Sequence, residues 1–462
     1  MLIQILSLAV LLDYATFIVV GQVLEKSRSV WVEQGLVRGK IYNIDGRHIQ
    51  IFRGIPYAEP PLGNLRFARP VKKTRWHQEL SAVEYGPPCI QFMDFHRYDK
   101  FSSDNMRRQS EDCLYLNVFS PYDHEDESKT FPIIVWIHGG SFLAGSADTG
   151  IDMETVARNI IFKGITFVTI NYRLGPLGFL NARIGDKIEA NFGIWDQVMA
   201  LQWIQANIKQ FGGDPNRVTL MGESAGGAAC SLLALSPKTE GDYYAYTGHF
   251  IKSFLRIRRL PGLVQQAIIM SGSVTAGWAI HRHGTPSWSL ENLVSYLRCE
   301  KVISGVEYTS EVVGDEHTAE ELAEKKCNYQ NEIVSCLVDD QSPQEQLSCL
   351  RKGLNFSSSL FRKALAFELG VSKMVVDGVL VPTSGVDLVR QYARIPIMTG
   401  VARKEWAHKK PQFYNLHRKS SLTAEEAGES VFRIVEGSFH DTSPVKLSNS
   451  TLHLVANASF VR

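Results

Sequence analysis

Arg217-Val218-Thr219-Leu220-Met221-Gly222-Glu223-Ser224-Ala225-Gly226-Gly227 joins an apolar β-type run to a serine that has a glycine two residues away on each side. A strand that turns sharply into a helix holds such a serine in strained backbone geometry, and only glycine lets the chain pass so close to itself at both flanks. The stretch therefore reads as a nucleophile elbow, with Ser224 standing above the strand ends. The bare Gly-x-Ser-x-Gly pattern is weak evidence, because a chain with 36 glycines in 462 residues is expected to hold roughly 0.2 chance matches. Context carries the reading: residues 218–221 supply the strand, and residues 225–235 supply a helix of small and apolar residues able to pack beneath a sheet. The competing reading is an ordinary turn serine.

An acyl-transfer serine needs backbone donors aimed at the oxyanion that develops on its substrate. Phe131-Pro132-Ile133-Ile134-Val135-Trp136-Ile137 has the composition of a buried strand and runs directly into His138-Gly139-Gly140-Ser141-Phe142, where small residues leave backbone N–H groups uncovered. Such a loop is the expected partner of the elbow. Without the elbow it would be only a glycine-rich strand exit.

Five further stretches widen the pattern. They are Phe52-Arg53-Gly54-Ile55-Pro56-Tyr57-Ala58-Glu59-Pro60-Pro61, Gly63-Asn64-Leu65-Arg66-Phe67, Glu111-Asp112-Cys113-Leu114-Tyr115-Leu116-Asn117, Asn171-Tyr172-Arg173-Leu174-Gly175 and Phe211-Gly212-Gly213-Asp214-Pro215. With the elbow they resemble, in order from about residue 30 to about residue 460, the type-B carboxylesterases and cholinesterases of the α/β-hydrolase fold. The resemblance implies a central, mostly parallel twisted sheet flanked by helices, occupying residues 30–462. It implies ester hydrolysis through an acyl-enzyme on Ser224, with the N–H groups of Gly140, Ser141 and Ala225 as the oxyanion hole. Where the family often has a third glycine this chain has Ser141, which still offers its N–H and changes the shape of the pocket. The resemblance also sets Arg66 beside Glu111, a pairing suited to a bidentate guanidinium.

On this fold the triad order is serine, acid, histidine. Residues 395–401 read as a strand, and Glu405 follows where the family's Gly-Val-x-x-x-Glu pattern places the acid, although Trp406 stands in for the usual next glycine. A carboxylate there would orient the imidazole and stabilise its cation; the bland alternative is a solvated surface glutamate. Downstream lie His408, His417, His440 and His453, none of them in the glycine-containing loop followed by an acidic residue that carries the family's base. The domain is therefore expected to be incomplete at its C-terminus. The base is then either absent or one of these four, with His440 the least poor candidate. Without a base a serine hydroxyl is a weak nucleophile, and in another serine hydrolase loss of the histidine alone costs about a million-fold in turnover. The 462-residue chain is accordingly expected to hydrolyse esters slowly, and to be poorly stable, with its final apolar segment 452–461 left as an uncovered edge.

Extra chain at about 242–262, rich in tyrosine, phenylalanine and arginine, separates the helix after Ser224 from an apolar strand at 263–273. It is either a membrane-surface or partner-binding finger, or an irregular insertion or gene-model artefact. The apolar run from Leu2 to Leu12, with Val19-Val20-Gly21 as a small-residue site, suggests a signal peptide over residues 1–21, the alternatives being a retained anchor or buried structure. Residues 36–44 and 48–55, joined through Asp45-Gly46, read as a β-hairpin. Apolar content of 44% and charged content of 21% are globular values, and a net charge of +1 gives no electrostatic reason to expect nucleic acid. One large domain is the simplest organisation.

Seven cysteines leave at least one unpaired. By resemblance, Cys89 with Cys113 and Cys327 with Cys336 match the family's first two disulfide loops; Cys299 and Cys349 are a further possible pair, and Cys230, in the helix behind the nucleophile, reads as a buried free thiol. Oxidised cysteines and a signal peptide place the chain in the secretory-pathway lumen or outside the cell. There Asn355, Asn449 and Asn457 would be glycan acceptors, and no transmembrane helix is expected once the signal is removed. No motif calls for a metal or a nucleotide cofactor. Residues 90–112 lack the tryptophan that binds quaternary ammonium in cholinesterases, and Phe92, Phe95, Tyr98 and Phe101 read as loop packing. Neutral small-molecule esters with an apolar acyl or alcohol group are the favoured substrates. The competing class is a non-catalytic interaction or adhesion domain, since some cell-surface proteins resembling the family lack triad residues.

Overall fold

A computed structural model describes residues 26–91, 108–126, 128–184, 186–240, 262–281, 289–297, 341–353 and 373–400. Residues 1–21, 92–107, 241–261 and 452–461 lie outside them, as do Glu405, the four histidines after it, Cys299, Cys327, Cys336, Asn355, Asn449 and Asn457. The strands, in chain order, are β1 (Lys26–Val32), β2 (Gly35–Ile44), β3 (Arg47–Pro56), β4 (Leu80–Ser81), β5 (Tyr115–Pro121), β6 (Phe131–Ile137), β7 (Thr166–Ile170), β8 (Ala182–Ile184), β9 (Lys187–Glu189), β10 (Gly213–Glu223), β11 (Gln266–Met270), β12 (Ile280–His281), β13 (Met374–Val375) and β14 (Ile397–Gly400). The helices are α1 (Met153–Asn159), α2 (Gly175–Phe179), α3 (Phe192–Asn207), α4 (Ala225–Leu235), α5 (Leu290–Leu297), α6 (Pro343–Gly353) and α7 (Gly385–Tyr392).

Ten strands form one sheet, in the order β1-β2-β3-β5-β7-β6-β10-β11-β14 with β4 beside β2. From β1 across to β7 successive neighbours run antiparallel; from β7 to β14 all are parallel. The expected hairpin is β2–β3. Its register closes on Ile44 opposite Arg47, with Asp45 at φ 50° and Gly46 at φ 75°. Two positive values at the central residues match the twist of the flanking strands, which is why Asp-Gly serves here.

Side chains alternate between the two faces of a strand, and this alternation divides the core. Ile133, Val135 and Ile137 of β6 join Leu116, Val118, Val168, Ile170, Val218 and Leu220 on one face. Ile134 and Trp136 of the same strand join Phe119, Phe167 and Met221 on the other, under α1. Both faces are thus apolar, as a parallel sheet covered on both sides requires. Helix α4 is buried almost all round, with Ala225, Gly226, Gly227, Ala228, Ala229, Cys230, Leu232 and Leu233 all enclosed, and it packs on β10 and β11. A third cluster gathers α5 and α6 around Phe67, Leu143 and Leu177.

Buried ion pairs brace the frame. Arg173, just after β7, donates from Nε and Nη2 to both oxygens of Asp196 on α3, at 2.8 and 2.7 Å, and its backbone N–H adds a third bond at 3.0 Å. Arg66 holds Glu111 bidentately at 2.7 and 2.6 Å, the pairing that the resemblance implied. Cys89 and Cys113 form a disulfide. Cys230 is free and buried, and burial pushes its thiol well above the ordinary range. Cys349 is disulfide-bonded. Among the described residues no helix is long and apolar enough to cross a membrane.

Candidate active site

The parallel strands end in line. Cα pairing sets Ile137 opposite Ile170, Gly222 opposite Ile137, Glu223 opposite Met270, and Met270 opposite Gly400. This is the carboxyl edge of the sheet, where α/β folds of this kind place ligands. Ser224 sits on it, between the end of β10 and the start of α4, at φ 54° and ψ −120°. A non-glycine residue there is strained and persists only because its surroundings over-determine it.

Those surroundings are visible. The Ser224 N–H donates to the Met270 carbonyl at 2.9 Å, and the Ser224 carbonyl accepts from Ala228 at 2.9 Å. A Cβ on Gly226 would stand 2.0 Å from the Ile137 carbonyl oxygen, and one on Gly222 would stand 2.5 Å from the Gly226 carbonyl carbon. Another on Gly272 would meet the Ser224 carbonyl at 2.0 Å. The chain therefore crosses itself closely on both flanks of the serine, the condition for which the sequence supplies glycine. The Ser224 side chain is half-buried.

The loop after β6 lies directly against this serine: a Cβ on Gly139 would be 3.2 Å from that of Ser224. Gly140, Ser141 and Phe142 follow with φ of 106°, 57° and 58°, and the loop closes on itself through Leu143 and Ala144 N–H groups bonded to the Gly140 carbonyl at 2.9 and 3.0 Å. Ala225 opens α4, so its N–H belongs to the first turn of a helix, where the amides have no intrahelical acceptor. Gly140 and Ser141 follow Gly139, the residue that abuts the serine, and Ala225 follows the serine itself. Glu405 is not among the described residues; its preceding strand, β14, ends on the same edge, where Gly400 accepts from the Ser271 N–H at 2.8 Å.

His138 has a structural setting that the sequence did not disclose. Its ring stacks on Tyr172 with centroids 4.4 Å apart, and its carbonyl accepts from the Tyr172 hydroxyl at 2.8 Å. Its Nδ1 lies 2.9 Å from the Gly139 carbonyl, which can only accept, so that nitrogen carries the proton. Burial lowers the His138 pKa to about 4, against the opposing pull of the Gly139 bond and of Asp148. The ring is thus neutral at physiological pH and serves as a wall beside the loop. Tyr172 lies in the Asn-Tyr-Arg-Leu-Gly stretch already singled out, but nothing in that spelling says which carbonyl its hydroxyl reaches. Among the described residues no group of three His, Cys, Asp or Glu side chains could hold a metal ion.

Comparison with known proteins gives the same direction. Residues 26–452 match the model of a family described as "Carboxylesterase family". The chain is 39% identical over 248 residues to the medium-chain fatty acyl-CoA hydrolase precursor of Anas platyrhynchos, covering 52% of this chain and 43% of that protein. Acetylcholinesterase of Bungarus fasciatus is 37% identical over 257 residues, covering 54% of this chain and 38% of its own length. Liver carboxylesterase 1 of Oryctolagus cuniculus is 36% identical over 260 residues, covering 54% and 45%. In each case the matched part spans less than half of the relative.

Proposed function

The chain belongs to the carboxylesterase family, and from that premise we propose that it is a carboxylic ester hydrolase acting through an acyl-enzyme on Ser224. One observation carries the proposal: a strained, half-buried serine between β10 and α4 with the Gly139 backbone against it. In the first step Ser224 Oγ attacks the ester carbonyl and gives up its proton to the base, forming a tetrahedral oxyanion that the N–H groups of Gly140, Ser141 and Ala225 receive. Collapse breaks the bond to the alcohol, which leaves with the proton returned by the base. Water then attacks the acyl-enzyme by the same route, releasing the acid and restoring the serine.

Glu405 is the proposed acid that orients the base. On this fold the base is a histidine later in the chain than the acid; His408, His417, His440 and His453 occupy that part of this sequence, His440 in Phe439-His440-Asp441 being the least poor fit, and none lies in the glycine-containing loop that carries the family's base. Neutral esters with an apolar acyl or alcohol group are the proposed substrates. The disulfide between Cys89 and Cys113 suits an oxidising compartment, so we place the protein in the secretory pathway or outside the cell, with Asn355, Asn449 and Asn457 as glycan sites.

Hydrolysis of p-nitrophenyl esters tests the reading, together with labelling by a fluorophosphonate that reacts with activated serines. Ser224→Ala should abolish labelling and, where the chain supplies the base, lower turnover by a factor on the order of a million. Turnover that survives the substitution would refute the assignment. A folded chain that is neither labelled nor active would instead favour the non-catalytic interaction domain.

A further inference from the structure

We propose that Gln91 is a positioning residue that holds the loop after β6 in the conformation its N–H groups need, coupling that loop to the stem of the Cys89–Cys113 disulfide. The proposal rests on the reading of Ser224 and residues 139–141 as a hydrolytic site.

The loop cannot keep its shape unaided. Ser141 and Phe142 are both left-handed, at φ 57° and 58°, and each such non-glycine residue is strained enough to need support from outside. The two bonds that Leu143 and Ala144 make to Gly140 lie inside the turn and fix only its own curvature. Support comes from neighbours. Gly175 donates to the Phe142 carbonyl at 2.8 Å, and the Ala147 N–H donates to Asn171 Oδ1 at 2.8 Å.

Gln91 supplies the only support that couples both groups of one peptide segment to one side chain among these ties. Its Nε2 donates to the Gly145 carbonyl at 2.5 Å, and its Oε1 accepts from the Gly145 N–H at 3.0 Å. A carboxamide that pairs with both groups of one residue does what a neighbouring strand would do, and fixes that residue's position and orientation together. Gly145 is at φ 111°, and a Cβ there would lie 2.3 Å from His138 Nδ1 and 2.7 Å from the Gly139 carbonyl. The held backbone therefore presses on the first two residues of the loop, and Gly139 in turn abuts Ser224.

At its other end Gln91 is anchored. Only 5% of its surface is exposed, and its backbone N–H donates to Gln109 Oε1 at 3.2 Å. Cys89 bridges to Ser110 as a β-pair, so residues 89–91 and 109–113 form a stem closed by the disulfide. A continuous line of contact thus runs from that stem through Gln91, Gly145, His138 and Gly139 to Ser224.

The test uses the full chain and two readouts. Gln91→Met keeps the length of the side chain and removes both bonds; Gln91→Asn, which keeps the amide but stops a methylene short, replaces it if the methionine variant does not fold. Gln205→Met serves as control, because Gln205 donates to the Pro215 and Leu263 carbonyls away from the site. Native-state hydrogen exchange of peptides spanning 138–147 should accelerate by about tenfold or more in the Gln91 variants and stay unchanged in the control. Fluorophosphonate labelling of Ser224 should slow by between about tenfold and about a hundredfold. Unchanged exchange at 138–147 overturns the proposal, as does faster exchange with labelling at the wild-type rate. Equal acceleration in β7 peptides overturns it too, because the effect would then be general loosening. If the unsubstituted chain is never labelled, the reading of Ser224 fails, and exchange at 138–147 alone decides the tie.

Discussion

Arg66 and Arg351 exchange hydrogen bonds across 285 residues of chain: Arg66 Nη1 donates to the Arg351 carbonyl at 2.9 Å, and Arg351 Nε donates to the Arg66 carbonyl at 2.9 Å. Arg66 Nη1 also reaches the Leu350 carbonyl, while its Nε and Nη2 grip Glu111. One guanidinium therefore joins the carbonyls near the end of α6, where a cation is favoured, to the stem of the first disulfide loop.

Removing that guanidinium leaves Glu111 and two helix carbonyls without their donor. Arg66→Ala should cost about 2–4 kcal/mol of stability, measured by urea denaturation. Arg66→Lys should recover only part of it, because an ammonium cannot pair with both carboxylate oxygens in parallel. An unchanged midpoint in both variants would show that the pair does not brace the fold.

Gly226→Ala should destabilise the chain by about 1–3 kcal/mol and eliminate labelling of Ser224, since the new methyl would sit 2.0 Å from the Ile137 carbonyl oxygen. Gly400→Ala is the matched control, because a Cβ there meets nothing within 4 Å. Thermal midpoints of the two variants should separate clearly. Equal midpoints would mean that the crossing of α4 and β6 is looser than described.

Ser141→Gly should be neutral or stabilising by up to about 1 kcal/mol, the relief of left-handed strain being offset by the greater freedom of glycine when unfolded. Calorimetry is the measurement. A loss of more than about 1 kcal/mol would mean that the serine side chain is itself holding the loop.

His138 should make the fold acid-sensitive. Its pKa falls from 6.5 to about 4 on burial, so between these values the unfolded chain binds more protons than the folded one. The stability it contributes is complete above about pH 6.5, declines as pH falls towards about 4, and amounts to about 3 kcal/mol in total. Urea midpoints of wild type and His138→Phe, compared at pH 7 and pH 4.5, should show the wild type losing stability relative to the variant on the acid side. A constant difference would place the histidine's protonation outside the folding equilibrium.

Much of this arrangement is spelled locally, and that part was legible. The Asp45-Gly46 turn, the apolar strands at 131–137 and 218–221, and the Gly-x-Ser-x-Gly elbow are each written in consecutive residues and appear where expected. The extent of β10 was underestimated, because Gly213-Asp214-Pro215-Asn216 looks like a loop yet pairs from Gly213 onward against Phe131. The strand read at 395–401 is present at 397–400, but all four of its residues are exposed, so apolar composition there did not mean burial. What escaped were contacts between distant residues with no periodicity to announce them: the Tyr172 hydroxyl on His138, the Gln91 amide on Gly145, and the exchange between Arg66 and Arg351. Each depends on where the fold brings two distant segments together, and neither segment carries that information alone.

The crossing at Ser224 is made almost wholly of main chain, with Gly139, Gly222, Gly226, Gly227 and Gly272 around it and its N–H tied to Met270 on the next strand. A centre without side chains offers nothing to trim or enlarge. Side-chain variation has to be written in the segments around the crossing, because the crossing itself has almost none to vary.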